Sequence, residues 1–468
     1  MRRYLIFASG GLSLLMYTVD TTAVAVAFPH FMREFHTNVL WAGWTISIYY
    51  IGVTIATPLA GSLSDTFGRK KVFLISLLFF TGSSLACGFA LNIYMLIAFR
   101  FLQGIGGASF FPTASGMVSD YFPENRQTAI GLFSSIFPIG GIIGPNVGGW
   151  IVSRYSWRYI FYINLPVGIG LLLLIMVLLR DSKLYSRPRV DVVGASLMSG
   201  AILLFMFGLN FMGESLSLTS LLLSAVLLGF SFSLVLLFLS HEKKEAKPIL
   251  DIVLLRSRPF LAANLLNMVL GAGFFGLFSF VPLYVTSVHN LSTLLSGMIL
   301  TPRSLGVLAA STITSFLLRR WGYRVPLVCG LVVVSCSTLL LAPGLLLSGM
   351  TGMRVGLVEL LSFLMLASGI GAGITNPAAN NACIELMPGK IATIMGLRGM
   401  FRTVGGALGI SLITFILHMS SSRFIGFRVT FILFGLALAS SIPLVFLIPS
   451  GKKAWAKGPG TGSQEGCA

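Results

Sequence analysis

Charge is what this sequence lacks most. Only 10% of its 468 residues are charged, against about 25% in a typical soluble domain. A water-soluble globular protein is thereby excluded. Acids are scarcer still, with 14 Asp and Glu beside 32 Lys and Arg. Cysteine is rare. Cys87, Cys329, Cys336, Cys383 and Cys467 form no CxxC pair, and four of them lie inside apolar runs, which excludes a disulfide scaffold and a zinc module. His30, His36, His241, His289 and His418 fall near helix ends or loops, and none pairs with a carboxylate at metal-ligand spacing. No Walker lysine is present. Gly104-Ile105-Gly106 sits inside an apolar helix with no strand before it, so it is no nucleotide loop. There is no nucleophile–base pair and no soluble sensor domain. The expectation is a chain that is not an enzyme, with no metal and no cofactor.

What is abundant is apolar sequence, 55% of the chain. A membrane-spanning helix needs ~20 apolar residues. Runs of that length lie at 4–28, 39–60, 72–90, 93–118, 128–152, 159–179, 192–211, 218–240, 260–286, 294–317, 325–347, 357–382, 391–418 and 427–449, which predicts fourteen spans. The first run is too long, and with Asp20 too polar, for a cleaved signal peptide. The tail 451–468 is Gly-rich and polar and reads as disordered.

The net charge of +18 then acquires a bland meaning. Of the 32 basic residues, 22 fall in the termini and one set of loops, six in the opposite loops and four within helices. The positive-inside rule sets both termini in the cytoplasm. Orientation accounts for the charge without nucleic acid. Short loops suit a bacterial inner membrane.

The chain also repeats itself. At an offset of 265 residues, Gly104, Ile105, Gly106, Pro112, Ala114, Pro123, Thr128, Gly131, Leu132, Gly140, Gly141 and Gly144 meet identical residues between Gly369 and Gly409. A weaker match brings Leu63 and Gly68 onto Leu317 and Gly322. Both matched loops face the same side, so the repeats are parallel. Such repeats build transporters with a substrate site between the halves. The predicted order is an N-terminal six-helix half (1–180), two inserted helices with basic loops (181–258), a C-terminal six-helix half (259–450) and the tail.

Three stretches carry specific patterns. The first is Gly61-Ser62-Leu63-Ser64-Asp65-Thr66-Phe67-Gly68-Arg69-Lys70-Lys71, where glycines permit a tight turn and the basic triplet anchors a cytoplasmic loop. The second is Gly140-Gly141-Ile142-Ile143-Gly144-Pro145-Asn146-Val147-Gly148-Gly149, whose small residues recur at i+4 in two stripes that let helices approach closely. The third is Trp157-Arg158 leading into Asn164-Leu165-Pro166. The loop resembles the G-x-L-x-D-x-x-G-R-K-x signature of the major facilitator superfamily. The glycine stripes resemble the antiporter motif of its exporters. Asp20-Thr21-Thr22 and the third stretch resemble the 14-spanning drug:proton antiporters. The resemblance implies an all-α integral membrane protein with the major facilitator fold, two six-helix halves plus two inserted helices. It implies a cytoplasmic latch in which Asp65 and Arg69 are the main charges. It links Arg100 to proton coupling.

Asp20 and Arg100 also meet by depth. Each lies ~10–12 Å below the outer ends of the first and fourth spans at 1.5 Å per residue, so they can pair. A buried ionisable group in a membrane is costly and usually functional; a purely structural pair is the alternative. Thr21, Gln103, Arg303, Asn376, Asn380 and Arg402 are candidate cavity-lining residues. Asn376 and Asn380 could instead bond helix to helix. Arg398 and Arg402 share a face at i, i+4; either they snorkel toward the cytoplasmic end or they line the cavity for anionic groups.

The reading is a proton-coupled exporter of small amphiphilic drugs or toxic compounds, working by alternating access as a monomer among membrane lipids. The proton gradient is its energy source. The alternative is an exporter or flippase of an endogenous lipid, siderophore or anionic metabolite.

Overall fold

The computed structural model describes residues 2–122, 133, 136–178, 191–214, 217–245, 257–343, 354–386, 391–448 and 450. All regular structure among them is helical. The helices are α1 Arg2–Glu34, α2 Val39–Phe67, α3 Arg69–Gly88, α4 Ile93–Gly107, α5 Phe110–Tyr121, α6 Ile136–Arg154, the single turn α7 Tyr159–Tyr162 and α8 Asn164–Leu178. The pair α9 Val192–Glu214 and α10 Leu218–Glu242 follows. Then come α11 Arg258–Gly271, α12 Val281–Ser287, α13 Thr293–Trp321, α14 Arg324–Leu340, α15 Arg354–Leu386, α16 Ile391–Met419, α17 Arg423–Ser440 and α18 Ile442–Leu447. Twelve spans among the described residues are long and apolar enough to cross a membrane. Two shorter apolar segments, Ser196–Phe205 and Arg324–Leu340, fall where two further spans are expected. The chain is a multi-pass membrane protein.

Helix starts follow local chemistry. Asn38 and Asn92 accept hydrogen bonds from Trp41 N and Met95 N at 3.0 and 2.9 Å, and Ser292 and Ser422 cap α13 and α17 in the same way. Each cap satisfies a backbone donor that the helix leaves free. Several spans are interrupted. The fourth breaks between Gly107 and Phe110, and a π turn, Ala272–Gly276, with a 3-10 turn, Leu277–Phe280, joins α11 to α12.

The helices of residues 2–178 pack mainly on one another, as do those of residues 258–448. These are called the N- and C-terminal bundles below. The repeat is legible in their contacts. Gly52 on α2 lies against Phe101 and Gly104 of α4, and Gly306 on α13 lies against Leu366 and Gly369 of α15. Gly106 meets Phe80, and Gly371 meets Val334. Gly140 and Gly144 of α6 meet Thr18 and Thr22 of α1, while Gly405 and Gly409 of α16 meet Met268 and Ala272. The weaker loop match holds as well. Gly68 and Gly322 end α2 and α13, and they are the two glycines with positive φ among the described residues, at 91° and 68°. A side chain would strain either turn.

The bundles meet along two seams. On one, α6 faces α13; on the other, α2 faces α16. Helix α9 covers the second seam, where Phe207 lies 4.6 Å from the Trp44 ring and Ile202 and Leu203 join the cluster of Trp44, Ile48, Ile51 and Ala407. Its partner α10 is mostly exposed, with Leu222, Phe230, Phe232 and Leu237 on the surface, as lipid contact requires.

A buried ion pair and an unpaired arginine layer

Asp20 sits mid-way along α1 and Arg100 mid-way along α4, and both are fully buried. Arg100 Nη1 donates to Asp20 Oδ2 at 2.7 Å. The other carboxylate oxygen, Oδ1, accepts from Gln103 Nε2 at 2.9 Å and from Asn164 Nδ2 at 2.8 Å. Arg100 also donates through Nε to the Thr45 carbonyl at 3.1 Å and through Nη1 to Gln103 Oε1 at 2.7 Å. Its guanidinium lies 4.0 Å over the ring of Tyr49. Asn164 is fixed in turn by a 2.9 Å bond to Ser84 Oγ, whose own hydroxyl donates to the Phe161 carbonyl. Three donors, two of them neutral, thus converge on one carboxylate. Removing one partner of a buried pair leaves an uncompensated charge, costing about 3–5 kcal/mol.

The expected pair is therefore in contact. Gln103, expected along the cavity, is fully buried inside this network. Thr21 is half-buried and donates to the Tyr17 carbonyl at 2.8 Å. Sequence reasoning missed Tyr49, Thr45 and Ser84, and gave Asn164 only as part of a family pattern. An amide at the start of an apolar helix is the one signal that could have marked Asn164.

The C-terminal bundle builds the same layer with different residues. Through the contacts above, Tyr49 corresponds to Arg303 and Thr18 to Met268, so Asp20 corresponds to Leu270; at the 265-residue offset Arg100 corresponds to Met365. Leu270 and Met365 are fully buried. Arg303 places its guanidinium 3.8 Å over the Phe278 ring. Arg402 lies 5.0 Å from the Phe275 ring centroid and 5.5 Å from that of Phe274. Its electrostatic neighbours are Arg398, Arg303 and the Tyr50 hydroxyl. Arg398 is buried, and its Nε and Nη2, like the Nε of Arg303 and Arg402, find no hydrogen-bond partner. Among the described residues, none of the three has a carboxylate in salt-bridge contact. Asn376 and Asn380, one turn apart on α15, each leave Oδ1 without a partner.

Two other sequence features take shape. In the loop motif, Arg69 reaches the Gly116 carbonyl of α5, and Lys70 donates to the Met176 carbonyl at 3.1 Å. Gly61 lies within α2, and the side chain of Asp65 is outside the described set. In α6, Gly140, Gly144 and Gly148 face Thr18, Thr22 and Ala23 of α1. The second stripe faces the other bundle: Gly141 meets Ser304, Gly149 meets Thr293 and Leu294, and the Pro145 carbonyl meets Gly297. Trp157 and Arg158 both bind Glu34 at the end of α1.

Among the described residues, contacts join the bundles from one end of the spans to their middle. His30 Nε2 lies 3.2 Å from Thr293 Oγ1, and Phe28 packs on Phe280 at 5.2 Å. Gly43 meets Thr414, and Thr54 donates to Thr403 Oγ1 at 2.8 Å. One turn before Thr54, Tyr50 stacks on Phe275 with centroids 5.4 Å apart.

Known proteins share this architecture and resemble this sequence. A bacterial homologue of the human lysosomal transporter Spinster, solved inward-facing and unoccupied, superposes with TM-score 0.66 at 15% identity, covering 97% of this chain and 98% of that one. The xylose transporter XylE of E. coli, partially occluded and inward-open, gives 0.62 at 13% identity over 95% and 97%. In sequence, Multidrug resistance protein 3 of Bacillus subtilis is 31% identical over 405 residues, 86% of this chain and 77% of the relative. Multidrug transporter protein MdtP of the same species is 29% identical over 421 residues, 88% and 75%. The family model described as Major Facilitator Superfamily matches residues 10–410 and again 304–466. This chain belongs to the major facilitator superfamily.

Proposed function

We propose that the chain is a proton-coupled exporter of small amphiphilic drugs or toxic compounds, with Asp20 as the proton-carrying group and Arg100 as its switch partner. The observation that carries this reading is the Asp20–Arg100 pair, sealed from water, in a superfamily member whose relatives are multidrug transporters. The arrangement has fourteen spans: a six-helix half within 1–180, two inserted helices within 181–258 and a second half within 259–450. Both termini and the tail 451–468 face the cytoplasm of a bacterial cell.

With that orientation, the end bearing Phe28 and Thr293 is the outer one, and the contacts of Phe28, His30 and Gly43 with the other bundle close it. On this reading the conformation is inward-open. Asp20 here is dry and holds three hydrogen bonds to its two oxygens, which suits a carboxylate that has already given up its proton. When the bundles rock apart at the outer end, water reaches Asp20. A proton then adds to Oδ2, the oxygen now held by Arg100, and the pair loses its attraction. Arg100 is released from Asp20. Closing the outer end restores the pair and expels the proton inward. A group bound differently in two states shifts their balance by its differential affinity, and this links proton entry to cargo exit.

The test is Asp20→Asn in inverted vesicles. Dye efflux driven by a pH gradient is expected to stop, while exchange of dye across unenergised membranes continues. Gradient-driven efflux that persists in the variant would overturn the assignment of Asp20.

A further inference from the structure

Building on the exporter reading, we propose that the layer of Arg303, Arg398 and Arg402 binds the anionic head of an amphiphile, a carboxylate, sulfonate or phosphate, while Phe274, Phe275 and Phe278 receive its apolar body. The inference deepens that reading by naming the cargo's charge.

The argument begins with the repeat. The N-terminal bundle carries one buried cation and one buried anion in this layer, Arg100 and Asp20. The C-terminal bundle has Met365 and Leu270 at the matching positions, so neither member of the pair is kept. It adds guanidiniums elsewhere, one of them, Arg303, at the position matching Tyr49. The layer thus carries three positive charges without an internal counter-charge among the described residues. A cation in a membrane interior needs a partner, and like charges at short range repel. Packing alone gives no reason to gather three.

The unfilled bonding capacity agrees. Arg398 is 6% exposed and leaves Nε and Nη2 unbonded; Arg303 and Arg402 leave Nε unbonded. Arg303 and Arg402 are only half-buried, although they lie deep along α13 and α16. They therefore line space rather than packed protein. Guanidinium forks match carboxylate and phosphate oxygens two at a time. The rings of Phe274, Phe275 and Phe278 stand directly beside these forks, so an aromatic or aliphatic body can follow the head. Arg402 and Tyr50, on opposite bundles, both touch Phe275. A ligand at this point therefore contacts the surface along which the bundles separate.

The test measures binding without any gradient, in phosphatidylcholine nanodiscs, using a dansyl-labelled fatty carboxylate, its neutral methyl ester and the cation ethidium. The wild-type chain is expected to bind the carboxylate about tenfold more tightly than the ester, the scale of one charged hydrogen-bonded contact. Arg402→Gln and Arg303→Gln should each weaken the carboxylate about tenfold and leave the ester unchanged, and Arg402→Lys should stay within about threefold of wild type. Equal affinity for acid and ester in the wild-type chain overturns the proposal even if no variant folds. Tighter binding of ethidium than of the carboxylate overturns it too. Competition by added phosphatidylglycerol would assign the head to a lipid, and no competition to a free amphiphile; both keep the anion site. The two readings fail separately. Carboxylate binding without gradient-driven efflux sinks the exporter and leaves the site, whereas ethidium efflux without carboxylate binding sinks the site and leaves the exporter.

Discussion

Tyr49 and Tyr50, neighbours in sequence on α2, serve opposite bundles. The ring of Tyr49 lies 4.0 Å beneath the guanidinium of Arg100, and the ring of Tyr50 stacks on Phe275, which itself lies 5.0 Å from Arg402. One turn of one helix therefore reaches Arg100 directly and Arg402 through Phe275. A rotation of α2 that moves Tyr49 away from Arg100 must also move Tyr50 against Phe275. Replacing Tyr50 with Ala removes the link and keeps the Asp20–Arg100 pair. The expected outcome is cargo binding within about threefold of wild type with gradient-driven efflux reduced about tenfold, since a ring contact is worth ~1 kcal/mol and acts here between states. Parallel binding and efflux assays check the split.

The mid-span contact between the bundles can be locked. Thr54 and Thr403 meet at 2.8 Å between their hydroxyl oxygens. A Thr54→Cys, Thr403→Cys double variant, on a background in which Cys329 and Cys336 are replaced because they are exposed, should form a cross-link under oxidant. Transport should stop and return on reduction. Cross-linked protein that still exports would mean that this contact survives the whole cycle.

Glycine positions on α6 separate packing from motion. A methyl group at Gly144 would stand 2.9 Å from the Val19 carbonyl and overlap Thr22, whereas one at Gly82 on α3 meets nothing within 4 Å. Gly144→Ala should lower the melting temperature and cost about 1–3 kcal/mol, as overpacking does. Gly82→Ala should be neutral or stabilise by up to about 1 kcal/mol. Thermal unfolding in detergent checks both.

Charge movement follows from the anion site. One proton entering against one singly charged anion leaving carries two charges in the same sense, so an inside-negative potential drives both. Export of the dansyl carboxylate should accelerate when potassium and valinomycin set such a potential. Exchange of one proton for one ethidium moves no net charge and should ignore it.

Legibility in the sequence was uneven, and the reasons are physical. Asp20 and Arg100 were readable because isolated charges in apolar helices are expensive and seek each other; the depth count took α1 to end at Phe28, whereas it runs on to Glu34. The repeat was readable because close helix approach admits only glycine, and Gly104 and Gly369 do make such approaches. Tyr49, Thr45 and Ser84 were not readable, since a tyrosine or hydroxyl in an apolar run has no periodic mark and a backbone carbonyl has no sequence identity. The break at Ala108–Ser109 and the π turn at Ala272–Gly276 were hidden for a related reason. Apolar run length reports that a segment spans, while its internal kinks depend on what packs beside it. Here that neighbour includes the Arg402 backbone, which Gly271 admits just before the π turn.

The two faces of α6 differ in what transport asks of them. The stripe of Gly140, Gly144 and Gly148 grips α1 within one bundle and can stay shut throughout. The stripe of Gly141, Pro145 and Gly149 faces α13 of the other bundle and, in the proposed alternating-access cycle, parts and re-forms each time. Small side chains there make few interlocking contacts, so there is little to unlatch when the surfaces separate. Such a face behaves as a smooth bearing, and filling it with larger side chains would act as friction, slowing turnover even where the fold survives.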